Sequence, residues 1–131
     1  MEATVARILH DLRIIARIRI GDKICITDER LDIDREGYLQ PIVRTVYGST
    51  RRKACTHINN TVDTAIALYT LLKESSKIDD DGLYRRLTLH NITTELKAAS
   101  IGISNLITTY HNDMSVVTQL RSINERIMET V

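Results

Sequence analysis

Three acidic residues, Asp32, Asp34 and Glu36, alternate along the chain and are followed directly by Gly37. Carboxylates at positions 1, 3 and 5 with glycine at position 6 are the pattern of a calcium-binding loop. The pattern breaks at position 12, where Val43 stands in place of the glutamate that would bind calcium through both oxygens. We therefore interpret these residues as a solvated acidic turn. Calcium binding by a small metal-sensing regulator is the weaker alternative.

The remaining candidate metal ligands are four histidines and two cysteines. Cys55 and His57 stand two apart, but the others are scattered, and the chain has neither a CxxC nor an HxxxH pair of the kind that binds zinc. We interpret them as buried thiols and surface imidazoles. No serine lies in a GxSxG motif and no glycine-rich phosphate loop is present. The sequence therefore predicts a non-enzymatic protein with no catalytic residue, no metal and no cofactor.

A cluster of basic residues is the strongest signal for binding. Residues 37–61 include Arg44, Arg51, Arg52 and Lys53 and no acidic residue. Arg52 and Lys53 fall in the first turn of a predicted helix, where the helix dipole disfavours cations. This placement favours an anionic partner, either phosphate or carboxylate. Three interpretations stay open: a solvated cap region whose arginines pair with aspartates elsewhere in the fold, a protein-binding surface, or a nucleic-acid-binding surface.

The composition excludes several classes of protein. A chain of 131 residues with 43% hydrophobic and 27% charged residues is typical of one globular domain and not of a disordered chain. No apolar run approaches the roughly 18 residues that span a bilayer. Charged residues interrupt the start of the chain, so we expect no export signal and reduced cysteines. The net charge of +1 argues against a strongly basic nucleic-acid-binding protein.

The core must be almost wholly aliphatic, because the chain has no Phe and no Trp. Aromatic surfaces are what base-stacking and ligand-binding modules generally use, so their scarcity favours an assembly role over small-molecule recognition. Arginine outnumbers lysine 13 to 5, which favours fixed bidentate contacts over loose attraction.

The hydrophobic pattern predicts a mostly α-helical protein: about five helices in a bundle, forming a single domain over residues 1–131. We predict a helix over 1–21, an extended or hairpin segment over 22–36 and a helical body over 37–131. Apolar residues recur every three or four positions in the helical parts. The main stripes are Val5, Ile8, Leu9, Leu12 and Ile15; Ile58, Val62, Ala65, Ile66, Tyr69 and Leu72; and Leu89, Ile92, Leu96, Ala99, Ile103, Leu106 and Tyr110, which Leu83 and Leu87 extend at the start.

Short polar residues and glycines mark where these helices begin and end. Gly21 is a plausible stop for the first helix. Ser49 or Thr50 can cap the third helix, one of the aspartates at 79–81 can cap the fourth, and Asp113 can cap the last.

Two features predict close contacts of the helices. Gly102 inside the fourth helix costs about 1 kcal/mol relative to alanine, so it marks close packing or a break. Ile14 and Ile18 widen the apolar stripe of the first helix. We predict that they form an outer face that contacts a partner.

Two stretches carry motifs of a known family: YLQPIVRTVYGSTRRKACTHINN at 38–60 and GISNLITTYHND at 102–113. They resemble segments of small virion-associated proteins of the nucleocytoplasmic large DNA viruses. Together they cover about a third of the chain. The first departs from the family pattern because Thr45 and Val46 stand where a tryptophan usually precedes the Tyr-Gly pair. The matching residues are Leu39, Gln40, Arg44, Tyr47, Gly48, Ser49 and Arg51 in the first stretch, and Gly102, Leu106, Thr109, Tyr110 and Asp113 in the second.

The resemblance implies a minor capsid component that bridges or cements larger capsid proteins. Such a protein would reside in the virion, and in the host cytoplasm before assembly. Its expected partners are other capsid proteins and further copies of itself. The alternative is a nucleic-acid-binding, packaging or regulatory module that uses the basic cluster at 44–53, with nucleic acid as the second candidate partner. The predicted partner-binding residues are Arg44, Tyr47, Arg51, Arg52, Lys53, Ile14 and Ile18.

Overall fold

A computed structural model of the chain describes residues 2–47, 50–74 and 82–131. Over these ranges it contains five helices and one two-stranded antiparallel hairpin, which confirms the mostly α-helical prediction. The predicted caps at 79–81 lie outside the described residues. The elements are α1 (Glu2–Ala16), β1 (Lys23–Thr27), β2 (Arg30–Asp34), α2 (Leu39–Tyr47), α3 (Thr50–Glu74), α4 (Gly82–Thr109) and α5 (Met114–Thr130).

Four long helices surround one aliphatic core. α1 packs mainly on α4, α5 packs on both α3 and α4, and the hairpin packs on α3. The stripes predicted for α1 and α3 face this core, as do the stripe residues of α4 from Leu89 to Leu106. The predicted extension of the α4 stripe is wrong, because Leu83 and Leu87 are exposed. Each buried leucine or isoleucine contributes roughly 1.5–3 kcal/mol, so the helices are held mainly by their tertiary contacts. No helix in the described ranges combines the length and apolar character needed to cross a bilayer.

α1 ends at Ala16, five residues before the predicted stop, because side chains of α4 bind the backbone that follows it. Asn105 donates from its side-chain amide to the Ile18 carbonyl over 2.9 Å, and the Gly21 amide donates to the Thr109 hydroxyl over 2.7 Å. Gly21 has φ +94°, a conformation that favours glycine. These bonds draw the chain away from the helix axis and along α4.

The predicted outer face of the first helix is wrong for Ile18. Ile18 is only 1% exposed and belongs to the protein's own core, and Ile14 is half-buried against that core. The wide apolar stripe of the first helix is therefore explained by contacts with other parts of the same chain. Ile18 is not available to a partner.

Residues 22–36 form a hairpin, which settles the choice between a strand pair and an extended arm. Ile24 pairs with Ile33 and Ile26 pairs with Leu31. Paired residues of antiparallel strands share a face, so these four side chains form one apolar face toward the core. The two turn residues at 28 and 29 both have positive φ, the backbone shape of the turn that matches the twist of a tight hairpin.

Gly102 marks close packing between α4 and the end of α1. A Cβ atom added at this glycine would overlap the Ile15 carbonyl oxygen and lie 2.9 Å from the Ile15 carbonyl carbon. Only a hydrogen atom fits there, and the atoms opposite are backbone, which cannot rotate away. The glycine therefore sets the distance between the two helices, as the sequence predicted.

We predict that Gly102→Ala lowers the free energy of unfolding by about 3 kcal/mol, because the two backbones must move apart. Gly82→Ala in the same helix is the matched control, since its Cβ would meet only the flexible end of Arg85 at 3.9 Å. The control should leave stability unchanged or slightly raised. Urea unfolding of both variants measures the difference. Equal stability of the two variants would contradict the close contact.

Candidate functional site

The basic cluster lines a surface pocket of about 530 Å³ where α2 and the beginnings of α3 and α5 meet. The two helix beginnings bring first-turn amide groups and helix dipoles toward the same space. The lining residues are Gln40 and Arg44 from α2, Thr50, Arg51 and Arg52 from α3, and Asp113, Ser115, Val116 and Gln119 at the start of α5.

Not every predicted binding residue reaches this pocket. Arg44, Arg51 and Arg52 line it, whereas Lys53 is exposed on α3 outside the lining. Tyr47 ends α2, and its side chain lies outside the described part of the chain, as do Gly48 and Ser49. The structure therefore brings together three of the predicted cations.

Arg51 has partners within the chain. Its guanidinium donates to the Asp113 carboxylate over 2.7 Å and lies 4.8 Å from the centre of the Tyr110 ring. The bond from Arg51, together with a bond from the Val116 amide, lowers the pKa of Asp113 below its ordinary value. Asp113 also caps α5, as predicted. For Arg51, the pairing with an aspartate elsewhere in the fold is the correct interpretation.

Arg44, Arg52 and Lys53 have no such partner. All three side chains are exposed, and across the described ranges none of them forms an ion pair with a carboxylate. The first turn of α3 holds no acidic residue, so the unfavourable interaction of Arg52 with the helix dipole is not offset there. These cations are free to bind an anion from outside the protein.

Of the two residues predicted to cap α3, Thr50 does not act as a cap, and Ser49 lies outside the described residues. Thr50 is the first residue of the helix and is 1% exposed, yet its hydroxyl has no hydrogen-bond partner among the described residues. A buried hydroxyl without a partner costs roughly 1–3 kcal/mol. This hydroxyl belongs to a residue of the pocket wall, next to the cations.

Tyr110 connects the pocket to the hairpin. Its phenol oxygen accepts a hydrogen bond from the Ile24 amide at 3.1 Å, and Lys23 and Arg51 each place a cation 4.8 Å from the ring centre. Burial of the ring raises the pKa of the Tyr110 phenol. The sequence placed Tyr110 in a motif without indicating these contacts, because they depend on strand β1 lying beside the end of α4.

Asp34 holds the beginning of α2 in place. Its carboxylate accepts hydrogen bonds from the amides of Tyr38, Leu39 and Gln40 at 2.9–3.1 Å. Burial alone would raise the pKa of Asp34, but these amide bonds outweigh it and lower the pKa below its ordinary value. Gln40 in turn donates to the Ile24 carbonyl, which fixes α2 against β1. This role was not predicted from the sequence, in which Asp34 is one of the three residues of the predicted acidic turn.

The geometry does not support the calcium alternative. The oxygens of Asp34 are occupied by backbone amides, and Asp32 accepts a bond from the Thr27 hydroxyl. In the part of the chain that the structure describes, no three His, Cys, Asp or Glu side chains are grouped to hold a metal ion.

The cysteines are buried and free, as predicted. Burial, and then the nearby aspartates, raises the pKa of Cys25 to about 11. Burial does the same for Cys55, whose pKa is also about 11. Both are therefore protonated and poorly nucleophilic near neutral pH.

The chain matches no family model, and comparisons with curated proteins and with solved structures also find no match. The resemblance to virion-associated proteins stays a prediction from two short motifs.

We predict that Asp34→Ala lowers the free energy of unfolding by about 1–2 kcal/mol at pH 7, because the Tyr38 amide and the first two amides of α2 lose their acceptor. The folded-state pKa of Asp34 is below its ordinary value of 3.8, so its stabilisation is present above that pH and is lost as pH falls through the folded pKa. The acid limb of stability against pH should therefore be shallower in the variant.

The matched control is Glu36→Ala, which removes an exposed carboxylate two residues away. Thermal unfolding between pH 2 and pH 7 compares the two variants with the unsubstituted protein. Equal losses in both variants, or stabilisation of the unsubstituted protein by added calcium, would contradict the capping role of Asp34.

Proposed function

We propose that this chain is a non-enzymatic assembly protein, a minor capsid component of a large DNA virus that binds a capsid protein through the exposed half of α2. One observation carries the proposal. Ile42 and Val46 of α2, together with Tyr38 directly before the helix, form an apolar stripe with a spacing of four residues, and each is more than 60% exposed. Among the apolar side chains of α2 that the structure describes, only Val43 is fully buried, at 3% exposed.

The charges of α2 define the chemistry of the partner. α2 contains Arg44 and no acidic residue. At 100° per residue, Arg44 and the apolar stripe lie on opposite flanks of the exposed half of the helix. A complementary partner therefore presents an apolar edge and a carboxylate-bearing edge, as an acidic amphipathic helix does.

The same charges disfavour a second copy as the occupant. A symmetric dimer places the same patch on both sides of the interface. Two copies of α2 would bring cations together without any carboxylate from either helix. We therefore assign the α2 face to a different protein of the particle. Self-association, expected from the sequence, would have to use another face.

The proposed location in a virus particle rests on the resemblance to virion-associated proteins. A bridging role is consistent with a bundle that carries exposed apolar residues on several helices besides α2, among them Leu87, Ile101 and Met128. Scattered exposed apolar residues are ordinary, whereas a continuous stripe on one helix favours a docking face.

We predict that Ile42→Asp abolishes incorporation of the chain into particles and leaves its melting temperature unchanged, because Ile42 is 62% exposed. Ile101→Asp on α4 is the matched control, since Ile101 is 65% exposed on a different element and should be incorporated normally. Quantitative mass spectrometry of purified virions measures the copy number of each variant.

Three outcomes would contradict the proposal. The first is absence of the unsubstituted chain from purified virions. The second is equal incorporation of the two variants. The third is a dimer in mass photometry that Ile42→Asp dissociates and Ile101→Asp does not, because a second copy would then occupy the α2 face.

A further inference from the structure

The pocket wall contains a polar group that the fold leaves unused. Thr50 is 1% exposed, lines the pocket and has a buried hydroxyl without a hydrogen-bond partner in the described ranges. Buried polar side chains nearly always form a hydrogen bond, so a buried hydroxyl without one calls for an explanation. An acceptor that enters the pocket supplies one when the side chains around this hydroxyl, which leave it almost no accessible surface, shift to admit it.

The charge of the pocket specifies an anion. Three guanidinium groups, those of Arg44, Arg51 and Arg52, line it together with the single carboxylate of Asp113. Three positive charges and one negative charge leave a net charge of +2. That excess matches one dianionic group, and planar guanidinium groups are well suited to bind phosphate oxygens in pairs.

The first residues of α3 and α5 differ in their hydrogen bonding. At α5 the Asp113 carboxylate accepts the Val116 amide, so this helix begins with its own cap. α3 begins with the unpartnered hydroxyl of Thr50 and without an acidic residue in its first turn. First-turn amides have no partner inside their helix and favour anions. The unpartnered Thr50 hydroxyl and the cation of Arg52 therefore lie on the α3 side of the pocket.

We propose that the pocket between α2 and the beginnings of α3 and α5 binds a dianionic phosphate group, as inorganic phosphate or as a small phosphomonoester. Arg44 and Arg52 neutralise the two charges, and the Thr50 hydroxyl donates to a phosphate oxygen. Arg51 stays paired with Asp113 and closes the inner side of the pocket. The apolar stripe contributes no side chain to the phosphate site, and Arg44 is the residue that this site shares with the proposed assembly face.

Titration with inorganic phosphate, against sodium chloride at constant ionic strength, tests the site by amide chemical shifts. We expect one saturable transition whose largest shifts fall on residues 50–53. Arg44→Ala and Arg52→Ala should each weaken binding about tenfold or more, since each removes a charge-assisted hydrogen-bond donor. Arg121→Ala on the exposed side of α5 is the matched control and should bind phosphate as the unsubstituted protein does.

Thr50→Val separates a ligand role from a structural role. The substitution keeps the shape of the side chain and removes only the hydroxyl. Because that hydroxyl bonds nothing in the fold, we expect a melting temperature equal to or above that of the unsubstituted protein and weaker phosphate binding. A lower melting temperature with unchanged phosphate affinity would overturn the role of Thr50.

Titration with further ligands shows whether the site takes a phosphomonoester or the phosphodiester of a nucleic acid. Saturable binding of glycerol phosphate, a monoester, alongside inorganic phosphate would support a phosphomonoester site. Binding of duplex DNA or dimethyl phosphate with no response to either dianion would overturn the proposal in favour of a nucleic-acid surface. Shifts that do not saturate, or that Arg121→Ala weakens as much as Arg44→Ala, would show general surface attraction and also overturn it.

Discussion

The contact between Gly102 and the Ile15 carbonyl determines how the rest of this fold is arranged. It brings the end of α1 directly against α4, at a distance that no side chain allows. Further along α4, Asn105 and Thr109 bind the chain that leaves α1, and Tyr110 binds the first residues of the hairpin. One side of α4 thus determines the path of the backbone from residue 15 to residue 24, and the hairpin then fixes α2. The arginine pocket depends on this series of contacts although α4 contributes no residue to its lining.

The pocket combines arginines that are already paired with arginines that are not. Arg51 is held by Asp113 and by the face of Tyr110, so it is rigid and partly neutralised. Arg44 and Arg52 are exposed, and no carboxylate of the described chain pairs with them. Exposed ion pairs contribute little to stability, so pairing these two arginines internally would have brought small benefit. Leaving them unpaired keeps their full charge available to an anion, which is the physical basis for assigning binding to this surface.

The sequence predicted those features that are encoded locally. Hydrophobic periodicity indicated the core faces of α1 and α3, and Asp113 was recognisable as a cap because a capping aspartate and the helix it starts are neighbours in sequence. Long-range features could not be recognised in this way. Ile18 has the pattern of an exposed apolar residue until the path of the chain along α4 is known, and Asp34 is an ordinary acidic residue until α2 turns back over it. The basic cluster was visible as a cluster, but the unpartnered hydroxyl beside it is a property of packing alone.

The bonds between the hairpin region and α4 also determine when this protein can complete its fold. Each joins residues 86 to 88 positions apart, so each closes a very long loop of chain. Closing such loops slows folding, and during synthesis α1 and the hairpin can pack on α3 but lack their contacts with residues 102–110 until these have left the ribosome. The N-terminal third of the chain therefore reaches its final position only late in translation. Because the pocket needs residues of both α2 and α5, it is completed only after α5 has packed.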